Sequence, residues 1–388
     1  MVIMEGEVTA LQENFETKPR LIMNRWSVAS LLLLIVVLVF SCKKEEDNND
    51  DDVIDPTPDT GVKFDLAQVP YAKLSDYRFF SGDIKDMLPN ARVLPYEPIT
   101  PLFSDYAHKK RFVWMPEGVS ATYTSDHQIF SFPDGAVLIK NFYYDHVLPN
   151  DERRIVETRL IYKKDGEWFF ADYTWNEEQT DATFSLEGDN VEIDWIDDDG
   201  QEKFVNFRIP SEVECLTCHK ANMAPVPIAP KPQNLNNDFQ YADGLKNQLE
   251  KWQDVGYLSG DIPENIVTTV DWKDSAQPID LRVRSYLDAN CGHCHNSAGH
   301  CNYRGLRLVF DETDVDSKLG ICIVPDLPIN AQITHIIARS NPLRSAMFYR
   351  MNTNEANFMM PMLGRSMVHE EGVALLEQYI ESLTPVCP

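Results

Sequence analysis

Residues 63–208 alternate between apolar and polar positions in short runs rich in Val, Ile, Phe, Tyr and Trp, the pattern of antiparallel strands. The clearest runs are RFVWMP at 111–116, AVLIKNFYYDHV at 136–147, IVETRLIYKKDG at 155–166, EWFFADYTW at 167–175 and EKFVNFRIP at 202–210. Asp134-Gly135, Asp165-Gly166 and Asp199-Gly200 lie between or beside these runs and are typical of hairpins or tight turns. This even spacing predicts a β-sandwich-like domain over residues 63–210.

After residue 210 the apolar spacing changes to a helical one. Candidate helices lie at 245–255, 280–287, 342–351 and 370–383. Gly256 is placed to end the first helix, Asp280 to cap the second and Asn341 to cap the third. The sequence therefore predicts an α+β multidomain protein, in which residues 211–388 form a mainly α-helical domain.

The strongly apolar run at 30–40 is shorter than the roughly 20 residues that a membrane-spanning helix needs. Because Ser41-Cys42 follows it directly, we interpret residues 1–41 as a signal peptide and Cys42 as the lipidated residue of a bacterial lipobox. Acidic residues precede Met23, so we expect translation to start there. Residues 42–62 are acidic and polar, which predicts a solvated tether. The expected location is the cell envelope outside the cytoplasm, on the periplasmic face or the cell surface.

The formal net charge of −26 makes nucleic acid an unexpected partner and favours a basic one. For an exported protein anchored to the membrane by its N-terminal lipid, that partner would be a basic redox protein.

Two CxxCH motifs carry the main chemical prediction, Cys215-Leu-Thr-Cys218-His219 and Cys291-Gly-His-Cys294-His295. In such a motif the cysteines bind haem covalently, and the histidine binds its iron from one side. The prediction is two haem c groups within residues 211–388. The cysteines that would attach them are Cys215, Cys218, Cys291 and Cys294, and the proximal iron ligands are His219 and His295.

A zinc site and a redox dithiol are the alternatives for these cysteines. Paired CxxC zinc sites commonly separate their halves by about 15–20 residues, whereas residues 220–290 lie between these motifs. Neither alternative explains a histidine directly after both second cysteines.

The opposite iron ligand of the second haem is expected in the methionine-rich stretch at 357–364. We choose Met360, which precedes a proline, with Met359 and Met362 as rivals, although such a stretch is also common as gap-filling core. For the first haem Met223 is too close to the motif. The open choices there are His300, His335, Met351, a more distant residue or an empty position. We expect the remaining side chains His108, His127 and His369 to be solvated.

Three of the eight cysteines remain after lipidation and haem attachment, namely Cys301, Cys322 and Cys387. In an oxidising compartment two of them can pair. We expect Cys301 with Cys322, although sequence does not fix the connectivity.

Several segments around the motifs add a resemblance. They are TPLFSDYAHKKR at 100–111, FPDGAVLIK at 132–140, ETRL at 157–160 and SYLDANCGHCH at 285–295. Together they resemble an uncharacterised bacterial family of dihaem c-type cytochromes over roughly residues 65–385. The resemblance implies a β-rich part before the haem-bearing part. It also implies a distal-methionine region like "MPPLG", which reads MPMLG at 360–364 here. It implies no particular reaction.

The leading functional expectation is electron transfer, with an electron carrier favoured over a catalyst. One alternative is a dihaem peroxidase or oxidase with an open first haem, and the other is a surface binding module with redox haems. The latter would use aromatic residues of the β-rich region, which are as typical of core. The residues concerned are Trp114, Trp168 and Trp175. We assign turn and salt-bridge roles, rather than acid-base roles, to Asp105, Asp134 and Glu157.

Overall fold

A computed structural model describes residues 61–388 of the chain. The predicted signal peptide at 1–41, the predicted lipidation site Cys42 and all but the end of the predicted tether at 42–62 lie outside the described residues. Within 61–388, no helix is both long enough and apolar enough to cross a bilayer.

Antiparallel strands form the centre of the fold. In chain order the strands are β1 (Leu94–Tyr96), β2 (His108–Trp114), β3 (Ala121–Thr122), β4 (Val137–Val147), β5 (Glu152–Lys164), β6 (Glu167–Trp175), β7 (Ala182–Phe184), β8 (Asp189–Ile196), β9 (Glu202–Ile209), β10 (Lys220–Ala221), β11 (Ala224–Pro225), β12 (Asp238–Tyr241), β13 (Gly244–Asn247) and β14 (Leu258–Ser259). Eight of them form one sheet in the order β1-β2-β4-β5-β6-β7, with β8 beside β4 and β9 beside β8. All five strand runs predicted from the apolar pattern are confirmed.

Two predicted turns close hairpins of this sheet. Asp165 and Gly166 join β5 to β6 with positive φ angles of 53° and 81°, which two-residue hairpin turns require. Asp199-Gly200 closes the β8–β9 hairpin.

The predicted β-sandwich is wrong, because the strands form a single large sheet. The β8–β9 hairpin is joined to this sheet through the pair Val147 and Trp195. Residues 62–93 cover one face of the sheet, and segments after residue 232 cover part of the other. Alternation shows that a strand has a buried face, but it does not show whether a sheet or loops will cover that face.

Short helices and irregular segments make up most of the chain after the large sheet. The α-helices are α1 (Glu212–Cys218), α2 (Pro232–Leu235), α3 (Gln248–Asp254), α4 (Ile279–Leu287), α5 (Asp316–Leu319), α6 (Ala346–Met351) and α7 (Glu370–Ser382). A π-helical turn, Asp288–Gly292, continues α4, and 3-10 turns occur at Leu74–Tyr77, Ile84–Asp86 and Pro342–Arg344.

The predicted mainly α-helical cytochrome domain is therefore contradicted. The four helical periodicities do correspond to α3, α4, α6 and α7, but even α7, the longest α-helix within residues 61–388, has only 13 residues. Leu245, assigned to the first predicted helix, lies in β13, and the helix starts only after the Asn247 cap. The segments between the helices have an irregular backbone that is held in place by side chains. Such contacts depend on tertiary structure, and the hydrophobic periodicity of the sequence does not predict them.

One hydrophobic core joins the sheet to the segment after residue 210. Trp252 of α3 is fully buried and packs edge-on against Tyr96 of β1, with ring centroids 5.8 Å apart. Phe130 and Phe132 contact the same indole ring.

We expect Trp252→Ala to lower the free energy of unfolding by about 3–5 kcal/mol, because it empties a fully buried aromatic site. Urea unfolding followed by circular dichroism measures the change. Leu245→Ala is the control, since Leu245 is 66% exposed and should cost far less. Equal effects of the two substitutions would contradict the shared core.

Candidate functional site

The first CxxCH motif occupies helix α1 and the residue that follows it. Ser211 and Glu214 form a reciprocal capping box at the start of this helix. Glu214 also accepts a hydrogen bond from Arg208 at 2.7 Å. At the other end, the backbone N–H of His219 donates to the carbonyl of Cys215 at 2.9 Å.

The second motif forms the same hydrogen-bonded turn, but at the end of a π-helical segment rather than in an α-helix. Helix α4 continues through the π-helical turn Asp288–Gly292, and the N–H of His295 donates to the carbonyl of Cys291 at 3.0 Å. In both motifs the first cysteine and the histidine thus lie one helical turn apart on the same side.

His219 has the protonation and orientation of a metal ligand. Its Nδ1 lies 3.1 Å from the carbonyl oxygen of Val226 and donates to it, which leaves Nε2 free to bind a metal. Burial, followed by the nearby Arg159, lowers the pKa of His219 to about 3, so the imidazole is neutral.

His295 is also a neutral imidazole. Burial, followed by the neighbouring His293, lowers the pKa of His295 to about 4. Its Nδ1 is buried and has no hydrogen-bond partner within residues 61–388.

The two motifs meet in space. The ligand atoms of Cys218, His293 and Cys294 all lie within 4.8 Å of one another. Hydrogen bonds from Cys294 and His293 lower the pKa of the Cys218 thiol. Sequence reasoning did not single out His293, since it occupies a variable position of the motif.

The four motif cysteines are free thiols, whereas Cys322 and Cys387 form a disulfide. The expected pair of Cys301 with Cys322 is wrong. The chain after α7 brings Cys387 beside Ile337, and the backbone N–H of Cys322 donates to the carbonyl of that same residue. Cys301 is buried next to the second motif, its N–H donating to the Cys294 carbonyl at 3.0 Å.

Three neighbouring cavities surround the motifs. The first, of about 110 Å³, is lined by Cys215, Cys218, His219, Cys291 and Met360 among others. The second, of about 90 Å³, shares His219 with the first, and the third, of about 40 Å³, is lined by Cys294, His295 and Met360.

Met360 is the methionine of the 357–364 stretch that lines most of the cavity space around the motifs. It lines the first and third cavities, whereas Met362 lines only the third and is 42% exposed, and Met359 lines none of the three. The N–H of Met360 donates to the carbonyl of Arg350 at 2.8 Å, and the buried Arg365 donates to the Met360 carbonyl at 3.2 Å.

Arg365 organises the loop between α6 and α7, residues 352–369, which we call the methionine-bearing loop. Sequence reasoning missed this role. Its guanidinium also donates to backbone carbonyls of this loop and of the end of α6, namely those of Arg350, Met351, Thr353 and Met367. No local sequence pattern identifies an arginine whose hydrogen-bond partners are backbone carbonyls.

The residues considered as distal ligands of a first haem lie in three different places. Met351 lines the first cavity and His300 the third, whereas His335 is buried away from all three beside Thr334. His369 lines the first cavity, so its predicted solvation is wrong.

Aromatic residues surround His369, whose side chain is 13% exposed. Its ring stacks on Phe103 at 4.1 Å, and its Nδ1 lies 2.8 Å from the hydroxyl of Tyr286. His127, by contrast, is 41% exposed, and His108 is exposed, as predicted.

Asp134 and Glu157 have the turn and salt-bridge roles assigned to them, whereas Asp105 has neither and binds backbone N–H groups of a distant segment. Asp105 accepts hydrogen bonds from the backbone N–H groups of Ser366 and Met367 at 2.7 and 2.8 Å, which ties the methionine-bearing loop to the sheet. Asp134 accepts from the Gly166 N–H at 3.0 Å, and Glu157 pairs with Arg159. The tryptophans considered as a binding platform belong to the hydrophobic cores instead. They are Trp114, Trp168 and Trp175.

Comparison with protein-family models, with curated proteins and with solved structures gave no match. Two free thiol pairs, two neutral imidazoles and a thioether are the donor types that c-type haems use, whereas the cavities around them are smaller than a haem.

Proposed function

We propose that the chain is an exported dihaem c-type cytochrome, anchored by a lipid at Cys42, that transfers electrons. The observation that carries the proposal is the repeated turn: two distant CxxCH segments adopt the same hydrogen-bonded geometry and open onto adjoining cavities. Haem bound there would supply an iron that accepts and releases single electrons.

The residues around the site suit this role. Met360 lines the same cavity as Cys291 and His295. If it bound the iron of a haem held there, its thioether would raise the reduction potential of that haem and close the iron to small ligands. The closeness of Cys218 to Cys294 brings both attachment points together, which favours passage of an electron from one site to the other.

The net charge of −26 supports a basic redox partner, because opposite charge accelerates encounter. The apolar run before Cys42 and the acidic tether support an envelope location with the folded part outside the cytoplasm.

An enzyme with an open first haem is the alternative that the second cavity favours. This cavity is lined by His219 but by no methionine and no second histidine, so its wall offers no thioether or second imidazole that could close an iron there as Met360 would. An open position would admit a small ligand such as peroxide.

A metal centre without haem is favoured by a different observation. The cavities of about 110, 90 and 40 Å³ fall below the roughly 300 Å³ at which small-molecule pockets begin, so haem attachment requires the lining segments to separate. Cys218, His293 and Cys294 could hold one zinc ion with little movement.

The deciding experiment is a metal and haem count on mature protein made in a host that attaches haem c. A pyridine haemochrome assay gives haem per chain, elemental analysis gives zinc, and a carbon monoxide titration reports open iron. Two haems that bind no carbon monoxide support the electron carrier, and binding at one haem supports the enzyme. One zinc and no haem would refute the proposal.

A further inference from the structure

Three cations face one another across the sheet. Arg111 of β2 lies opposite Lys140 of β4, which lies opposite Arg159 of β5. Like charges in directly opposite positions destabilise a sheet. We call these three residues the cation row.

Only one end of the row is compensated. Arg159 pairs with Glu157 and approaches Asp172, which lies opposite it on β6, at 3.6 Å. Within residues 61–388 neither Arg111 nor Lys140 has a side-chain hydrogen bond or an ion pair, and Arg111 is only 7% exposed. The Lys140 ammonium instead lies over an aromatic ring, 4.6 Å from its centroid.

The whole row opens onto the second cavity, beside His219. Lys231 and Asp288 also line this cavity, but they pair with each other at 3.0 Å. That pair therefore does not neutralise the positive charge of the cation row. A buried charge without a counterion is costly, so an anion in this cavity would stabilise the row.

We propose that the cation row is a binding site for a carboxylate or small oxyanion next to His219. The anion has two possible sources, a propionate of the haem attached at Cys215 and Cys218, or a free oxyanion of phosphate or nitrite size. Only the first source rests on the proposed function. Burial, followed by Arg111 and Arg159, lowers the pKa of Lys140, and an anion in the cavity would oppose this effect.

The test compares Arg111→Gln and Lys140→Gln with the control Lys110→Gln, which removes one charge from the next residue of β2, on its opposite face. Lys140→Arg keeps the charge and should behave as the wild type. Circular dichroism checks that each protein is folded. The mature protein is titrated with inorganic phosphate by calorimetry, and both haem midpoint potentials are measured.

A free oxyanion predicts saturable phosphate binding that weakens at least about tenfold in Arg111→Gln and Lys140→Gln but not in the control. A propionate predicts no phosphate binding and a lower midpoint potential of one haem in the same two variants, because a cation that disfavours the oxidised iron is lost. If the protein carries no haem, the proposed function fails while the phosphate titration still tests the site. Absence of phosphate binding together with unchanged potentials, or with absent haem, overturns the anion site.

Discussion

If the chain is the proposed dihaem cytochrome, replacing His295 with alanine should leave the second haem covalently attached but without its proximal ligand. We expect its absorption spectrum to become high-spin and its iron to bind carbon monoxide, because the cysteines, rather than the histidine, hold the group in place. His293→Ala should change neither property, although the two histidines flank the same cysteine.

The zinc alternative predicts the reverse order of effects. His293 belongs to the cluster with Cys218 and Cys294, and His295 does not. Loss of bound zinc in His293→Ala, with His295→Ala retaining it, would reject the haem assignment. Elemental analysis and the haemochrome assay on the same two purified variants therefore distinguish the two metal centres.

Met360→Ala should lower the midpoint potential of one haem by tens to hundreds of mV, given that axial ligands set haem potentials across about 0.8 V. The absorption band that marks a methionine bound to ferric iron should disappear, and carbon monoxide binding should appear at that haem. Redox titration followed by absorption spectroscopy measures all three changes.

Met362→Ala is the matched control, since Met362 lies on the same loop but is 42% exposed and lines only the third cavity. Met359→Ala, whose side chain lines none of the three cavities, should also leave the potential unchanged. A loss of the band in Met362→Ala alone would assign the ligand to Met362 and contradict the choice of Met360.

The motif geometry was predictable from sequence because it is local. The spacing of four positions places Cys291 and His295 on one side of a helical turn, and the same holds for Cys215 and His219. The hairpin at Asp165 is local too, since a positive φ angle is a property of the residue and its neighbour.

The architecture was not predictable in the same way. Strand alternation indicated buried faces, but the connection of the β8–β9 hairpin to β4 through Val147 makes one sheet out of an expected sandwich. Helical periodicity located α7, yet it said nothing about the irregular backbone held by Arg365. The prediction of a mainly α-helical domain at 211–388, which added up local patterns, therefore overestimated the helix content of that region.

The sequence by itself determined five of the strands, the main turns, the approximate positions of four helices and the spacing of the two CxxCH motifs, since each depends on residues a few positions apart. Only the tertiary structure decided that Cys218 meets Cys294, that Cys322 pairs with Cys387 and that His369 packs against aromatic rings. It also decided the cation row, because strand register sets which charges face one another. These features depend on contacts between distant segments, whose geometry arises only when the whole core packs.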